Sequence, residues 1–359
     1  MQAITDFIYQ ARAARVIFGA GSLRHLEREV RELGAQRALV LCTPEQRALA
    51  QSLADRLGAR AAGVYDRATM HVPLDVARDA RDVAKACDAD CAIAVGGGST
   101  VGLGKAIALE SSLPILAIPT TYAGSEMTPI YGVTDGGLKR TGTDARVLPK
   151  TVIYDPELTV TLPVALSVTS GINAIAHAAE GLYANNANPV MSLIAEEGIR
   201  ALAQGLPGVR RDPADLGARG DALYGAWLCG MVLGNVGMAL HHKLCHTLGG
   251  TFNLPHAQTH TVVLPHALAY NAAHAPDAMR RIARAIGADD AARGLYDLAR
   301  DNGAPVALSE LGMQAADLDR AADLAVANPY WNPRPIERQA LRELLQRAFD
   351  GTPPDASSR

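Results

Sequence analysis

Residues 91–106 read CAIAVGGGSTVGLGKA, and this stretch decides the fold. Its unbroken apolar start predicts a strand buried on both faces, as in a parallel sheet. Three consecutive glycines then let the backbone turn and approach a ligand closely, and Ser99 opens a helix that carries Lys105. A helix N-terminus offers unpaired N–H groups and the positive end of a dipole. Gly96, Gly97, Gly98 and Ser99 are therefore read as a cradle for a cofactor diphosphate.

Outward from this unit the same alternation repeats. Short apolar runs predict strands over 16–18, 38–42, 63–65, 91–95, 115–118 and 152–154. Helices with readable signals lie between them: Ser22 starts one that stops at Gly34, Thr43-Pro44 opens one closed by Gly58, and Pro73 opens a third. This is the pattern of a Rossmann-like α/β domain with a parallel sheet, expected over residues 1–158. A second glycine loop at 19–22 has Arg24 where a Rossmann fingerprint needs its third glycine, and reads as a plain turn. Thr120 and Thr121 end the strand after the glycine loop and are expected on the nicotinamide side. Thr43 ends the second strand. The strand runs into Cys42-Thr43-Pro44 without the acid a fingerprint places at its end, and Arg47 is near in sequence, so both NADH and NADPH are expected.

After Asp155-Pro156 the strand-like runs almost vanish. Alanine- and leucine-rich periodic segments predict an all-α domain over 159–350, with helices around 170–183, 189–204, 222–237 and 243–248. The Pro/Ser-rich tail 351–359 is expected to be disordered. A chain of 359 residues, 48% hydrophobic and 20% charged, suits two globular domains. Its net charge of −3, with no Lys/Arg run, leaves no footprint for nucleic acid. Neither a long uncharged apolar stretch nor a signal-peptide pattern is present, so no membrane association is expected. Five irregularly spaced cysteines point to a reducing compartment, and the cytoplasm is expected.

Seven of the ten histidines fall between His177 and His266. Asn173 and His177 stand four apart and share a helix face; His242 and His246 repeat the spacing, and His256 follows a turn through Pro255. Helix-borne polar pairs of this kind build ligand sets inside bundles.

Together with Lys105, Pro119-Thr120-Thr121, Gly124-Ser125-Glu126, Asp155-Pro156-Glu157-Leu158 and the run His242 to Gly250, these motifs make the chain similar to the iron-containing (group III) alcohol dehydrogenase family. The match runs from about residue 10 to about residue 270, and it implies a dehydroquinate-synthase-like architecture. In that family an aspartate and three histidines bind iron or zinc. The corresponding positions are Asn173, His177, His242 and His256, while His246 matches a further active-site histidine. Three departures stand out: Asn173 for aspartate, Gly102 where the glycine motif continues to an aspartate, and a short segment over 119–126.

The departures resemble one branch, whose members are homodimers that reduce the conjugated C=C bond of maleylacetate to 3-oxoadipate in aromatic-compound degradation. They use NADH or NADPH. The resemblance implies an oxidoreductase with a small dicarboxylate substrate, catalytic His177, His242, His246, His256 and Asn173, and no required metal. Tyr122, Lys139, Arg140 and Lys243 are candidates for holding the distal carboxylate. The alternative is a metal-dependent alcohol or glycerol dehydrogenase of the same family.

Overall fold

The structure is a computed structural model that describes residues 7, 9–11, 14–136, 138–327 and 330–354. The chain divides into two compact units, Ala11–Leu162 and Pro163–Arg359 with Met1–Gln10.

In the first unit, strands and helices alternate as β1 (Arg15–Phe18), α1 (Leu26–Glu32), β2 (Ala38–Leu41), α2 (Arg47–Leu57), β3 (Ala61–Tyr65), α3 (Leu74–Ala86), β4 (Cys91–Gly96), α4 (Gly98–Ser111) and β5 (Ile115–Pro119). A hairpin of β6 (Ile130–Asp135) and β7 (Leu138–Thr143) follows, and β8 (Thr151–Tyr154) completes the sheet. Six strands pair in parallel in the order β1-β8-β5-β4-β2-β3. The four central strands are buried at every residue, whereas the edges β1 and β3 are partly exposed. Continuous apolar runs mark strands covered on both faces, and alternate residues separate the two cores. Ile93 and Val95 of β4 pack with Leu26, Val30 and Leu53 of α1 and α2, while Ala92 joins Ala77, Leu103 and Ile107 of α3 and α4.

The hairpin was not expected from the sequence. Its strands are rich in Gly, Thr and charge, so no apolar run announces them, although Asp135-Gly136 is a hairpin turn signal. Gly136 holds φ +55°, and β6 and β7 pair from Ile130↔Thr143 to Asp135↔Leu138. A fully buried lysine anchors the hairpin: Lys105 Nζ of α4 donates to the carbonyls of Ser125 (2.6 Å), Thr128 (2.9 Å) and Ile130 (2.7 Å). Three carbonyls match the three N–H bonds of an ammonium. Burial lowers this group to about 7, and the neighbouring Glu126 opposes that.

The second unit is helical: α5 (Val164–Leu182), α6 (Pro189–Arg211), α7 (Leu216–Asn235), α8 (Leu240–Phe252), α9 (His256–Asn271), α10 (Pro276–Ile286), α11 (Ala291–Asp301), α12 (Leu318–Val326) and α13 (Arg338–Asp350). Helices α6 and α7 cross at glycines: a Cβ on Gly205 would lie 2.6 Å from the Ala222 nitrogen, and one on Gly225 2.8 Å from the Gly198 oxygen. Among the described residues no single helix is long and apolar enough to cross a membrane; one bent pair, α7 and α8, passes on length and composition only. The expected disorder does not extend to residues 351–354. Tyr296 donates to the Gly351 carbonyl (2.7 Å), Arg347 to that of Pro353 (2.8 Å), and Pro354 is buried. Residues 355–359 lie outside the described residues.

Replacing Lys105 by Met would leave three buried carbonyls without a donor. Urea titration is expected to show a loss of about 3 kcal/mol, and an unchanged midpoint would contradict the anchor role.

Candidate active site

The glycine loop lies in the first unit. Strand β4 ends at Gly96, Gly97 caps α4 with no side-chain bond, and the helix begins at Gly98. Gly96 holds φ +145°, and a Cβ there would lie 2.5 Å from Gln46 Oε1; one on Gly97 would lie 3.0 Å from Thr121. Close approach of neighbouring groups therefore enforces these two glycines. Gly98 is exposed and Gly97 and Ser99 are half-buried, which leaves the helix N-terminus open to solvent.

Thr120 holds the loop in place: its N–H donates to the Gly96 carbonyl (3.1 Å), and its hydroxyl accepts from Gln46 Nε2 (2.7 Å). Thr43 opens the Pro44–Gln46 turn that delivers Gln46. The expected nucleotide residues Gly96, Gly97, Gly98, Ser99, Thr120, Thr121 and Thr43 thus gather at the carboxyl ends of β4, β5 and β2, with Gln46 as a member the sequence reading missed. Arg47 is already ion-paired with Asp66, which directly follows β3. Gly102, where the family motif continues to an aspartate, faces Val72, whose Cγ2 would lie 2.8 Å from a Cβ there. Val72 holds φ +48°, unusual for a β-branched residue, and the Thr134 N–H donates to its carbonyl (3.0 Å).

The substrate-side candidates divide. Tyr122, expected to hold a carboxylate, is fully buried in the turn after β5. Arg140 is exposed and pairs with Asp135 (3.4 Å), and the Lys139 side chain lies outside the described residues. Lys243, in the second unit, is half-buried with Nζ 5.7 Å from the Tyr330 ring centre.

In the second unit, α5, α8 and α9 bring six imidazoles together. His177 stacks on His242 with ring centres 5.1 Å apart, and His242 lies 6.1 Å from His246. His241, His242 and His260 are mutual neighbours at 4.8–5.2 Å, and His256 lies 4.4 Å from His260. His177, His241, His242 and His260 are buried, whereas His246 and His256 are exposed. Burial first, and neighbouring imidazoles second, push His177, His241 and His260 well below the usual histidine range, so these rings are neutral near pH 7. Sequence reasoning singled out four of the six. His241 and His260 were missed, although His256 and His260 repeat the four-residue spacing that marked the other pairs.

Glu180 was also missed. It is fully buried on α5, three residues after His177, and its Oε2 lies 2.7 Å from His242 Nδ1. Among the described residues Asn173 Oδ1, His177 Nδ1 and His242 Nε2 are buried without a hydrogen-bond partner. Beside them the donor atoms of His241, Cys245 and His260 lie within 4.8 Å of one another, all buried.

Comparison with known proteins places this geometry. Residues 13–156 match the model of the iron-containing alcohol dehydrogenases, and residues 167–349 match the C-terminal model of the Fe-containing alcohol dehydrogenase family. The chain belongs to the iron-containing alcohol dehydrogenase family. A maleylacetate reductase from Burkholderia cepacia is 66% identical over 348 residues, 97% of this chain and 99% of that one. The crystal structure of a maleylacetate reductase from Agrobacterium tumefaciens, 56% identical, superposes with a TM-score of 0.96 over 98% of this chain and all of that one. A structure from Ralstonia eutropha JMP134 named for an alcohol dehydrogenase is 69% identical, with a TM-score of 0.97 over 98% and 100% of the two chains.

Family membership and the His/Cys/His group correct the expectation that no metal is required. That expectation treated the lost aspartate as the only negative charge near the ligands. The fold supplies others: Glu180 acts on the cluster through His242, and the Cys245 thiol, held protonated by burial and Glu180, can lose its proton to a metal. The buried, partnerless Asn173 Oδ1, His177 Nδ1 and His242 Nε2 also fit a cation. Among the described residues the histidine, cysteine and acidic donor atoms that converge for an ion are those of His241, Cys245 and His260, whereas His177, His242 and His256 with the Asn173 oxygen would hold one by family resemblance.

Elemental analysis of the purified protein is expected to find bound divalent metal, reduced about tenfold or more in His242→Ala. Full retention would move the ion to the cysteine-containing group. At the glycine loop, Gly98→Asp is expected to raise KM for NADH at least ~30-fold, since a carboxylate would face the diphosphate, with little change in Tm. An unchanged KM would contradict the diphosphate assignment.

Proposed function

We propose that the chain reduces the conjugated C=C bond of maleylacetate to 3-oxoadipate, with NADH or NADPH as hydride donor. The observation that carries this reading is the 66% identity, over nearly the whole of both chains, to a maleylacetate reductase. Asn173 in place of a ligand carboxylate supports it, because an enone needs less carbonyl activation than a ketone or aldehyde.

Hydride adds to the alkene carbon β to the ketone, the π electrons move to the ketone oxygen, and the enolate takes a proton at its α carbon. The reaction consumes one reduced cofactor and one proton. A divalent ion, when bound, would supply Lewis-acid polarisation of the carbonyl. The chain's own part is to bind and orient. The Gly96–Ser99 loop and α4 hold the diphosphate, and Lys243 beside His242 offers a cation to a substrate carboxylate. The neutral buried imidazole of His177 serves as a hydrogen-bonding group, while exposed His246 and His256 exchange protons with solvent. This activity belongs in the cytoplasm, within a pathway of aromatic-compound degradation, and by family resemblance in a homodimer.

The Arg47–Asp66 pair bears on cofactor use. Arginine offers a partner to a 2′-phosphate and aspartate accepts from a 2′-hydroxyl, so the pair suits both nucleotides.

Adding maleylacetate to enzyme and NADH is expected to oxidise the cofactor, with an aldehyde control at least ~100-fold slower in kcat/KM. Faster aldehyde reduction would favour an alcohol dehydrogenase. Wild-type enzyme is expected to accept both cofactors, and Arg47→Ala to lose roughly tenfold in kcat/KM for NADPH with little change for NADH. A thousandfold wild-type preference would contradict dual use.

A further inference from the structure

We propose that Glu180 is a positioning residue that fixes the tautomer of His242, so that His242 works only through an acceptor lone pair on Nε2. The inference rests on reading His242 as a site residue, not on the identity of the substrate.

Helix α8 begins beneath this carboxylate. Glu180 Oε2 accepts from the backbone N–H of Ala239 (2.9 Å) and of His242 (3.3 Å), and Oε1 accepts from that of His241 (2.7 Å). The remaining N–H of the turn, on Leu240, donates to Asn332 Oδ1 at 3.4 Å. Four backbone donors of one helix start are thereby satisfied by two side chains, and the carboxylate sits at the positive end of the helix dipole. The phenol of Tyr183 adds a longer contact to Oε1 at 3.5 Å.

The fourth close donor to the carboxylate is the His242 ring. A carboxylate surrounded by N–H groups can only accept, so the contact of 2.7 Å at Nδ1 requires the proton to be on Nδ1. Nε2 then carries a lone pair, and it is the buried His242 atom without a hydrogen-bond partner among the described residues. Neutral His242 therefore binds a cation or accepts a proton through Nε2, and cannot donate a hydrogen bond to an enolate from that atom. That donor role passes to other groups of the cluster. A carboxylate behind a histidine also raises the basicity of the ring as a ligand, which lets a site without an aspartate retain an ion.

The test is Glu180→Gln together with wild type. The amide oxygen still accepts backbone N–H groups, but the amide NH2 opposes Nδ1 and favours the other tautomer. Two-bond 1H–15N correlation on zinc-loaded, histidine-labelled protein, assigned by the loss of signal in His242→Gln, reads the tautomer directly. Wild type is expected to show the proton on Nδ1. Glu180→Gln is expected to bind zinc ~10- to 100-fold more weakly and to lose kcat by a similar factor, with KM for NADH within about twofold. A wild-type proton on Nε2 would overturn the proposal even if the variant does not fold. So would a variant of lower Tm with unchanged zinc affinity and kcat, which would leave Glu180 only a helix cap. Both the zinc and tautomer readings hold whether or not maleylacetate is the substrate.

Discussion

One buried carboxylate ties the helical unit's chemistry together. Glu180 lies on the α5 face that carries His177, and it receives the start of α8, from which His241, His242 and His246 project. An unpaired carboxylate at this depth would be prohibitively unfavourable, so the backbone N–H groups that hold it are what permit the arrangement. Because α8 is docked by its own N-terminus, the imidazoles on its first two turns are fixed relative to His177. Backbone geometry thus sets the α8 rings against His177, and the contact of His241 Nε2 with His260 Nδ1 (2.9 Å) ties α9 into the cluster.

That constraint bears on the loss of the family's aspartate at 173. A neutral amide leaves the first ring of donors with less charge to offset a divalent ion. Glu180 supplies negative charge one residue further out, and Cys245 offers a second source. A site with weakened but surviving ligand chemistry suits a substrate whose ketone is already conjugated, since the enolate forms with less carbonyl activation.

The α/β unit was legible because its central strands are unbroken apolar runs between helix signals, and the triple glycine named its own place at the end of β4. The β6–β7 hairpin was not, because Thr, Gly and Lys give no apolar alternation and its anchor, Lys105, lies in a different element. In the site, the four-residue spacing exposed His177, His242, His246 and Asn173, but Glu180 hid among helix residues. A glutamate three positions after a site histidine, in a helix apolar on nearly every face, was the available signal. The expected absence of a metal failed for a related reason: charge was counted only at the matched positions, while folding brings Glu180 and Cys245 beside them.

The most direct test of the central claim follows the hydride itself. With cofactor deuterated at the transferred position, carbon-13 and deuterium NMR of the product is expected to place deuterium on the former alkene carbon β to an intact ketone. Deuterium on a newly formed carbinol carbon, with the alkene retained, would contradict enone reduction and return the chain to alcohol dehydrogenase chemistry.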